Sequence, residues 1–119
     1  MGFHNQKILP AVRHIKDLEK LLHSTYEYLV ILDIHIAQLN SIMSLTRKHN
    51  KKVFLHIDLI HGLQNDAYAT EYVCQEFEPY GILSTKTNVI LKAKQKGVVT
   101  IQRIFLIEIS SDCLLIFLF

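Results

Sequence analysis

Only two cysteines, Cys74 and Cys113, occur in the 119 residues. They stand in no metal-ligand spacing and are too few for a secreted disulfide framework, which points to a reducing cytosol. No apolar segment is long enough to cross a bilayer. The opening stretch MGFHNQKILP lacks the apolar core of a secretory leader, and Asn5 and Gln6 miss the Ser or Thr of a myristoylation signal. A cytoplasmic protein without membrane attachment is therefore expected. Charge of one sign is also lacking, since the net charge of +2 does not argue for nucleic acid on its own. No serine or cysteine elbow backed by histidine is visible, and Cys74 sits mid-helix among apolar neighbours as a core residue.

What is present is globular. Half the residues are hydrophobic and a fifth are charged, in a chain long enough for one domain with a modest core. Seven histidines add positive charge below neutral pH. The central stretch is 51–66, KKVFLHIDLIHGLQND. Its apolar run, Val53 to Ile60, has strand length and only two polar members, His56 and Asp58. Period-2 geometry sends both to one face at the strand's exit. Gly62 supplies a turn, and Asn65 or Asp66 is suited to cap the next helix.

Elements alternate along the rest of the chain. Lys7 to Leu9 form a short strand closed by Pro10, and Val12, Ile15, Leu18 and Leu22 mark a helix from Arg13. Tyr28 to Asp33 form a second strand, followed by a helix from Ile36 to His49. After the central strand, a helix from Asp66 to Phe77 carries Tyr68, Tyr72, Val73 and Phe77 on its apolar stripe. Gly81 to Ser84 is a fourth strand, with Ser84 or Thr85 capping a helix that ends at Gly97. Val98 to Leu106 is a fifth strand. Strands alternating with one-stripe helices predict an α/β fold of parallel βα repeats, a partial TIM-barrel-like sheet of about four βα units plus a fifth strand. The seven apolar residues that end the chain read either as a last buried strand or as an edge exposed by a missing continuation. A half-barrel leaves such an edge unpaired, so truncation is the expectation.

In a parallel sheet the strand exits share one end, where ligands bind. Arg13, Asp33, His35, His56, Asp58, Ser84, Thr85, Lys86, Gln102 and Arg103 fall there. Arg103 is placed to grip a phosphate with its planar fork, or to pair with an aspartate such as Asp58. His56, Asp58, Asp33 and His35 have the element types of a metal site, but alternation alone also yields a hydrogen-bonded polar ring, which is the simpler reading. Ser84 and Thr85 read as caps rather than nucleophiles.

Several blocks in order resemble the glycerol-3-phosphate-responsive antiterminators: ILPAVR at 8–13, HIDLIHGLQND at 56–66, GILSTK at 81–86, ILKAKQKG at 90–97 and IQRIFLIE at 101–108. The resemblance implies a TIM-barrel-like cytoplasmic regulator, not an enzyme, that responds to glycerol 3-phosphate and uses no cofactor. Such a regulator binds the messenger RNA leader of a glycerol operon so that transcription passes a terminator. Ligand-binding residues are expected among Arg13, Asp33, His56, Asp58, Ser84, Thr85, Lys86, Gln102 and Arg103. RNA phosphates are expected at Arg47, Lys48, Lys51, Lys52, Lys92 and Lys96, which otherwise read as solvated helix surface. No single-strand RNA-recognition motif is present, and the aromatics fall in helix stripes rather than exposed for stacking. Family members continue through further repeats with a late Gly-rich, phosphate-holding turn. Here residues 1–108 form the partial antiterminator domain and 109–119 a divergent apolar tail. Two alternatives stand beside the regulator: a metal-dependent phosphodiester or sugar-phosphate enzyme, and a non-functional fragment that associates with a second copy.

Overall fold

The computed structural model describes residues 8–102, 105–110 and 113–117. The elements in order are β1 (Ile8–Val12), α1 (Ile15–Leu22), β2 (Tyr28–Ile31), β3 (Ile34–His35), α2 (Ile36–Lys48) and β4 (Lys52–His56). A 3-10 turn (Ile57–Leu59) leads to β5 (Ile60–His61), α3 (Ala67–Phe77), β6 (Gly81–Leu83), α4 (Thr87–Gln95) and β7 (Val99–Ile101). β8 (Phe105–Ser110) and β9 (Cys113–Phe117) complete the order. Among the described residues, seven strands form one sheet in the order β7-β6-β4-β2-β1-β9-β8. β7, β6, β4, β2 and β1 are parallel to one another. These are the expected parallel βα repeats of a partial barrel.

Strand alternation sorts the apolar residues onto two faces. Leu29 and Ile31 of β2, Val53 and Leu55 of β4 and Ile82 of β6 join Leu39, Met43, Val73 and Val89 of the helices in one core. Leu9, Ala11, Tyr28, Val30, Phe54 and Leu83 point the other way and form a second cluster. Helices cover the first face. The second is equally dry, with Leu9, Val30 and Phe54 fully buried, because the sheet curls. β7 and β8 are its two edges, yet only four Cα steps separate Ile101 from Phe105, a reach of at most ~15 Å. Six inter-strand spacings laid flat would put those edges ~29 Å apart. Chain connectivity therefore requires a curved, barrel-like sheet.

Several boundaries depart from the sequence expectations, each for a physical reason. The run Val53 to Ile60 is not one strand. It breaks after His56 into the 3-10 turn, where Ile57 and Ile60 are buried and Leu59 is 38% exposed. Apolar spacing has changed there from two to three, the 3-10 period. Asp58 thus leaves the strand, and its common face with His56 does not follow from alternation. The expected strand Val98 to Leu106 likewise splits into β7 and β8, which lie on opposite edges of the sheet. Pro10 sits inside β1 rather than closing it, and the parallel ladder to β2 begins only after it, at Ala11. The apolar end of the chain pairs as a hairpin, β8 with β9, and β9 lies antiparallel along β1. On α3 the buried stripe is Thr70, Val73 and Cys74, leaving Tyr68 and Tyr72 exposed.

Helix ends follow local chemistry. Asp66 caps α3 by accepting from the Ala69 N–H at 2.8 Å. Gly97, at φ +77°, follows the last turn of α4 in the left-handed conformation that glycine adopts without strain. Ser84 and Thr85 do not cap α4, whose N-cap is Lys86.

Gly81 marks the tightest approach on the inner face. A Cβ there would collide with the Phe54 ring and lie 2.9 Å from the Val99 carbonyl oxygen. Gly81→Ala is expected to destabilise the fold by about 1–3 kcal/mol, read as a shifted urea midpoint, because overpacking forces Phe54 off its rotamer.

Candidate functional site

The strand exits carry two bonded groups. In the first, the 3-10 turn delivers Asp58 to the exit of β6. Its Oδ1 accepts from the Ser84 hydroxyl at 2.6 Å. Its Oδ2 accepts from the Thr85 N–H at 2.9 Å and the Thr85 hydroxyl at 2.7 Å. Burial raises the Asp58 pKa, but these three donors outweigh it and hold the carboxyl below its ordinary value. Ser84 Oγ accepts from the Lys86 N–H at 3.0 Å, and the Ser84 N–H donates to the Ile101 carbonyl at 3.2 Å. Lys86 Nζ reaches Asn65 Oδ1 at 3.0 Å, and Gln102 Nε2 donates to Thr87 Oγ1 at 3.1 Å. Five expected site residues, Asp58, Ser84, Thr85, Lys86 and Gln102, thus tie neighbouring loops together.

His56 ends β4 beside this network. It is 7% exposed, and its Nδ1 is buried without a hydrogen-bond partner. Burial pushes its pKa below the ordinary value of 6.5, while the nearby Asp58 charge pulls the other way. The ring is therefore neutral at pH 7.

The second group lines a cleft of about 780 Å³ between α1 and the segment joining β2 to α2. β1 ends just before Arg13, which enters the cleft with Lys16 and Lys20 from α1. The opposite wall holds Asp33, His35, Gln38 and His61. Asp33 has φ +55°, a left-handed conformation that aspartate tolerates better than most residues. Its Oδ1 accepts from His61 Nε2 at 2.5 Å. A two-stranded patch, β3 with β5, sets His35 opposite His61 and Ile34 opposite Ile60. Both isoleucines are buried in the helix-side core, so they anchor the exposed histidines above them. The imidazole centroids are 5.2 Å apart.

Arg13 and Asp33 therefore share the cleft, whereas His56 and Asp58 belong to the Ser84–Thr85 group. Arg103 lies outside the described residues. Lys16, Asp17, Lys20 and His61 were not foreseen as site residues. Lys16 and Lys20 stand one helical turn apart directly after a strand exit, which is the signal that places them at the mouth. His61 carried no such signal, since its position depends on the pairing of β5 with β3. Among the described residues no three His, Cys, Asp or Glu side chains group as a metal site, and no helix is long and apolar enough to cross a membrane.

The expected RNA contacts lie toward the other ends of the strands and are largely engaged. The Arg47 guanidinium donates to the Phe77 carbonyl. Lys51 Nζ donates to the Ser24 and Tyr26 carbonyls at 2.8 and 2.5 Å. Lys52 pairs with Glu27 at 3.2 Å and lies over the Tyr28 and Tyr80 rings. Lys96 pairs with Glu71 at 3.0 Å. Lys48 is in the last turn of α2 and Lys92 in the last turn of α4.

A barrel-type α/β sheet with a cationic cleft at its strand exits is the class of protein these features define. The profile of one family, described as glycerol-3-phosphate responsive antiterminator, matches residues 8–112, and the chain belongs to that family. It is similar to the crystal structure of the glycerol uptake operon antiterminator regulatory protein from Listeria monocytogenes. The two are 45% identical with a TM-score of 0.84, over 91% of this chain and 58% of that one. It is also 25% identical over 101 residues to the uncharacterized protein YgcP of Escherichia coli (strain K12), covering 85% of this chain and 53% of that protein. The chain thus spans little more than half the length of these relatives.

Two outcomes test the bonded groups. Ser84→Ala removes a donor from Asp58 and is expected to cost about 1.5–3 kcal/mol in denaturant unfolding, as for hydrogen bonds to charged groups. A depressed folded-state pKa gives stability that is complete above the unfolded value and lost as pH falls through the folded value. For His56 this loss sets in below 6.5, and for Asp58 below 3.8. His56→Leu is therefore expected to lessen the fall in stability between roughly pH 7 and roughly pH 5, compared by urea midpoints, while leaving the more acidic limb in place.

Proposed function

We propose that the protein acts as a transcription antiterminator of glycerol-uptake genes, binding a messenger RNA leader in response to glycerol 3-phosphate. The family match over residues 8–112 carries this reading, and the cleft beside α1 supports it. Glycerol 3-phosphate joins a dianionic phosphate to two hydroxyls. A site for it needs cations at one end and acceptors at the other, and the cleft offers Arg13, Lys16 and Lys20 together with Asp17 and Asp33. The protein works as a regulator without a catalytic step or a cofactor, in the cytoplasm where nascent RNA is found. Arg13 and Asp33 contact the effector directly. Asp58, Ser84 and Thr85, with Lys86 and Gln102, hold the loops around it, and His56 lies beneath as a neutral neighbour.

RNA is held through its phosphates by the basic residues at the other ends of the strands. Lys48 and Lys92 contribute most, because Arg47, Lys51, Lys52 and Lys96 are already engaged in internal bonds. Effector and RNA then occupy opposite ends of the sheet. Control requires that the effector bind the RNA-competent conformation more tightly than the other.

A gel-shift titration of a glycerol-operon leader, with and without glycerol 3-phosphate, tests this. The effector is expected to lower the protein concentration needed for retardation. Arg13→Ala is expected to raise the effector concentration required by about tenfold to a hundredfold, the worth of one charge-assisted hydrogen bond. Equal retardation in both arms removes the effector's role, and no retardation in either removes RNA binding by this chain.

A further inference from the structure

The two tyrosines that the helix pattern placed in the core stand outside it. Tyr68 is 84% exposed and Tyr72 47%. Four residues apart, they share the face of α3 turned away from its buried stripe of Thr70, Val73 and Cys74. Tyr72 is held edge-on by Phe77, with ring centroids 5.9 Å apart, so its plane is set before anything binds. α4 packs beside α3 and brings Lys92 and Lys96, also four apart, toward this strip. Lys96 pairs with Glu71 at 3.0 Å. That bond, with the charges of Lys96 and Lys92, holds the Glu71 carboxyl below its ordinary value. Glu71 directly precedes Tyr72, so both amines flank the aromatic strip, and one carboxylate against two amines leaves that flank positive. Glu76, the other acid of α3, lies on the opposite flank by helical spacing.

We propose that Tyr68 and Tyr72 form a stacking platform for two unpaired bases of a single-stranded RNA segment, its phosphates running along the Lys92 flank. This rests on the RNA reading above and adds bases to the phosphate contacts. One helical turn separates the two tyrosines, a rise of about 6 Å, whereas stacked neighbours in a nucleic-acid helix step about 3.4 Å. Each ring therefore takes its own splayed base, which an unpaired strand offers and a duplex does not. Every base has a π-face, so stacking tolerates any base identity. The platform supplies affinity and a preference for unpaired RNA rather than a sequence code. A protein partner fits less well. Fully covered, two tyrosines hide about 300–500 Å², short of the ~800 Å² per partner of a stable protein interface.

Fluorescence anisotropy of a labelled single-stranded RNA oligonucleotide from a glycerol-operon leader, alone and annealed to its complement, tests the platform. Tyr68→Ala and Tyr72→Ala are each expected to weaken single-strand binding by about fivefold to a hundredfold, with duplex binding unchanged. Tyr68→Phe and Tyr72→Phe keep a ring and are expected to bind as the wild type does. The salt dependence of affinity is expected to stay the same in the alanine variants. For Lys92→Ala its logarithmic slope is expected to flatten by about 0.7, the share of one phosphate contact. Tyr68→Ala is expected to melt at the wild-type temperature, since its ring lies mostly in water. Unchanged single-strand affinity in the alanine variants overturns the platform and leaves phosphate binding standing. An equal loss on both forms of the RNA, or a loss shared by the phenylalanine variants, does the same. A wild type that sediments as a dimer and is made monomeric by Tyr68→Ala assigns the strip to a second copy and overturns the platform too. A wild type that binds no RNA removes the RNA reading together with it.

Discussion

A parallel sheet has two apolar faces, and this one depends on hiding both. Four helices serve the outer face. The inner face, with Leu9, Val30, Phe54 and Leu83, has no helix against it among the described residues and is kept dry by curvature and by the hairpin continuing the sheet past β1. Fully burying such side chains is worth about 1.5–3 kcal/mol each, and together they outweigh any one of the polar contacts at the mouth. The curl is therefore the constraint that the site inherits. It turns the exits of β1, β2, β4 and β6 toward a common rim, whereas Asp58 meets Ser84 and Thr85 because β4 and β6 are neighbours in the sheet.

The rim divides into a part that is finished and a part that is not. Around Asp58 both carboxylate oxygens are engaged by Ser84 and Thr85, which leaves that carboxylate little for a ligand to add, although the Nδ1 of the neighbouring His56 is buried without a partner. Around α1 the side chains are exposed, mixed in charge and incompletely bonded. A site that binds and releases a small anion has to be of the second kind, since groups already satisfied by the protein gain nothing from a newcomer. The completed network suits the supporting role of fixing loop positions, and its aspartate keeps its charge well into the acid range.

Much of the fold was legible in the sequence. The runs at Tyr28 to Ile31 and Val53 to His56 have the length and composition of buried parallel strands, and the helices between them follow one-stripe spacing. The places that misled are those where a neighbour overrides local pattern. Residues 57–60 look like more strand because isoleucines at spacing three are as apolar as those at spacing two. Tyr68 and Tyr72 look like core because an aromatic on a helix usually is, yet the stripe facing the sheet is one residue away. Ser84 and Thr85 look like caps, and their hydroxyls are claimed instead by Asp58, 26 and 27 positions earlier in the chain. Of the candidate site, Arg13 and Asp33 could be read from strand ends. His61 could not, because only the pairing of β5 with β3 brings it to Asp33.

That short two-stranded patch has a consequence for how the chain can vary. Residues on a strand alternate faces, so a register slip of one position exchanges every inward side chain for its outward neighbour. One residue inserted between Asp33 and Ile36, or between Leu59 and Gly62, would turn an imidazole down toward the apolar interior and lift an isoleucine into water. Loop length at these two places is thus as tightly restricted as the identity of a core residue. Related chains can be expected to change letters there far more freely than they gain or lose them.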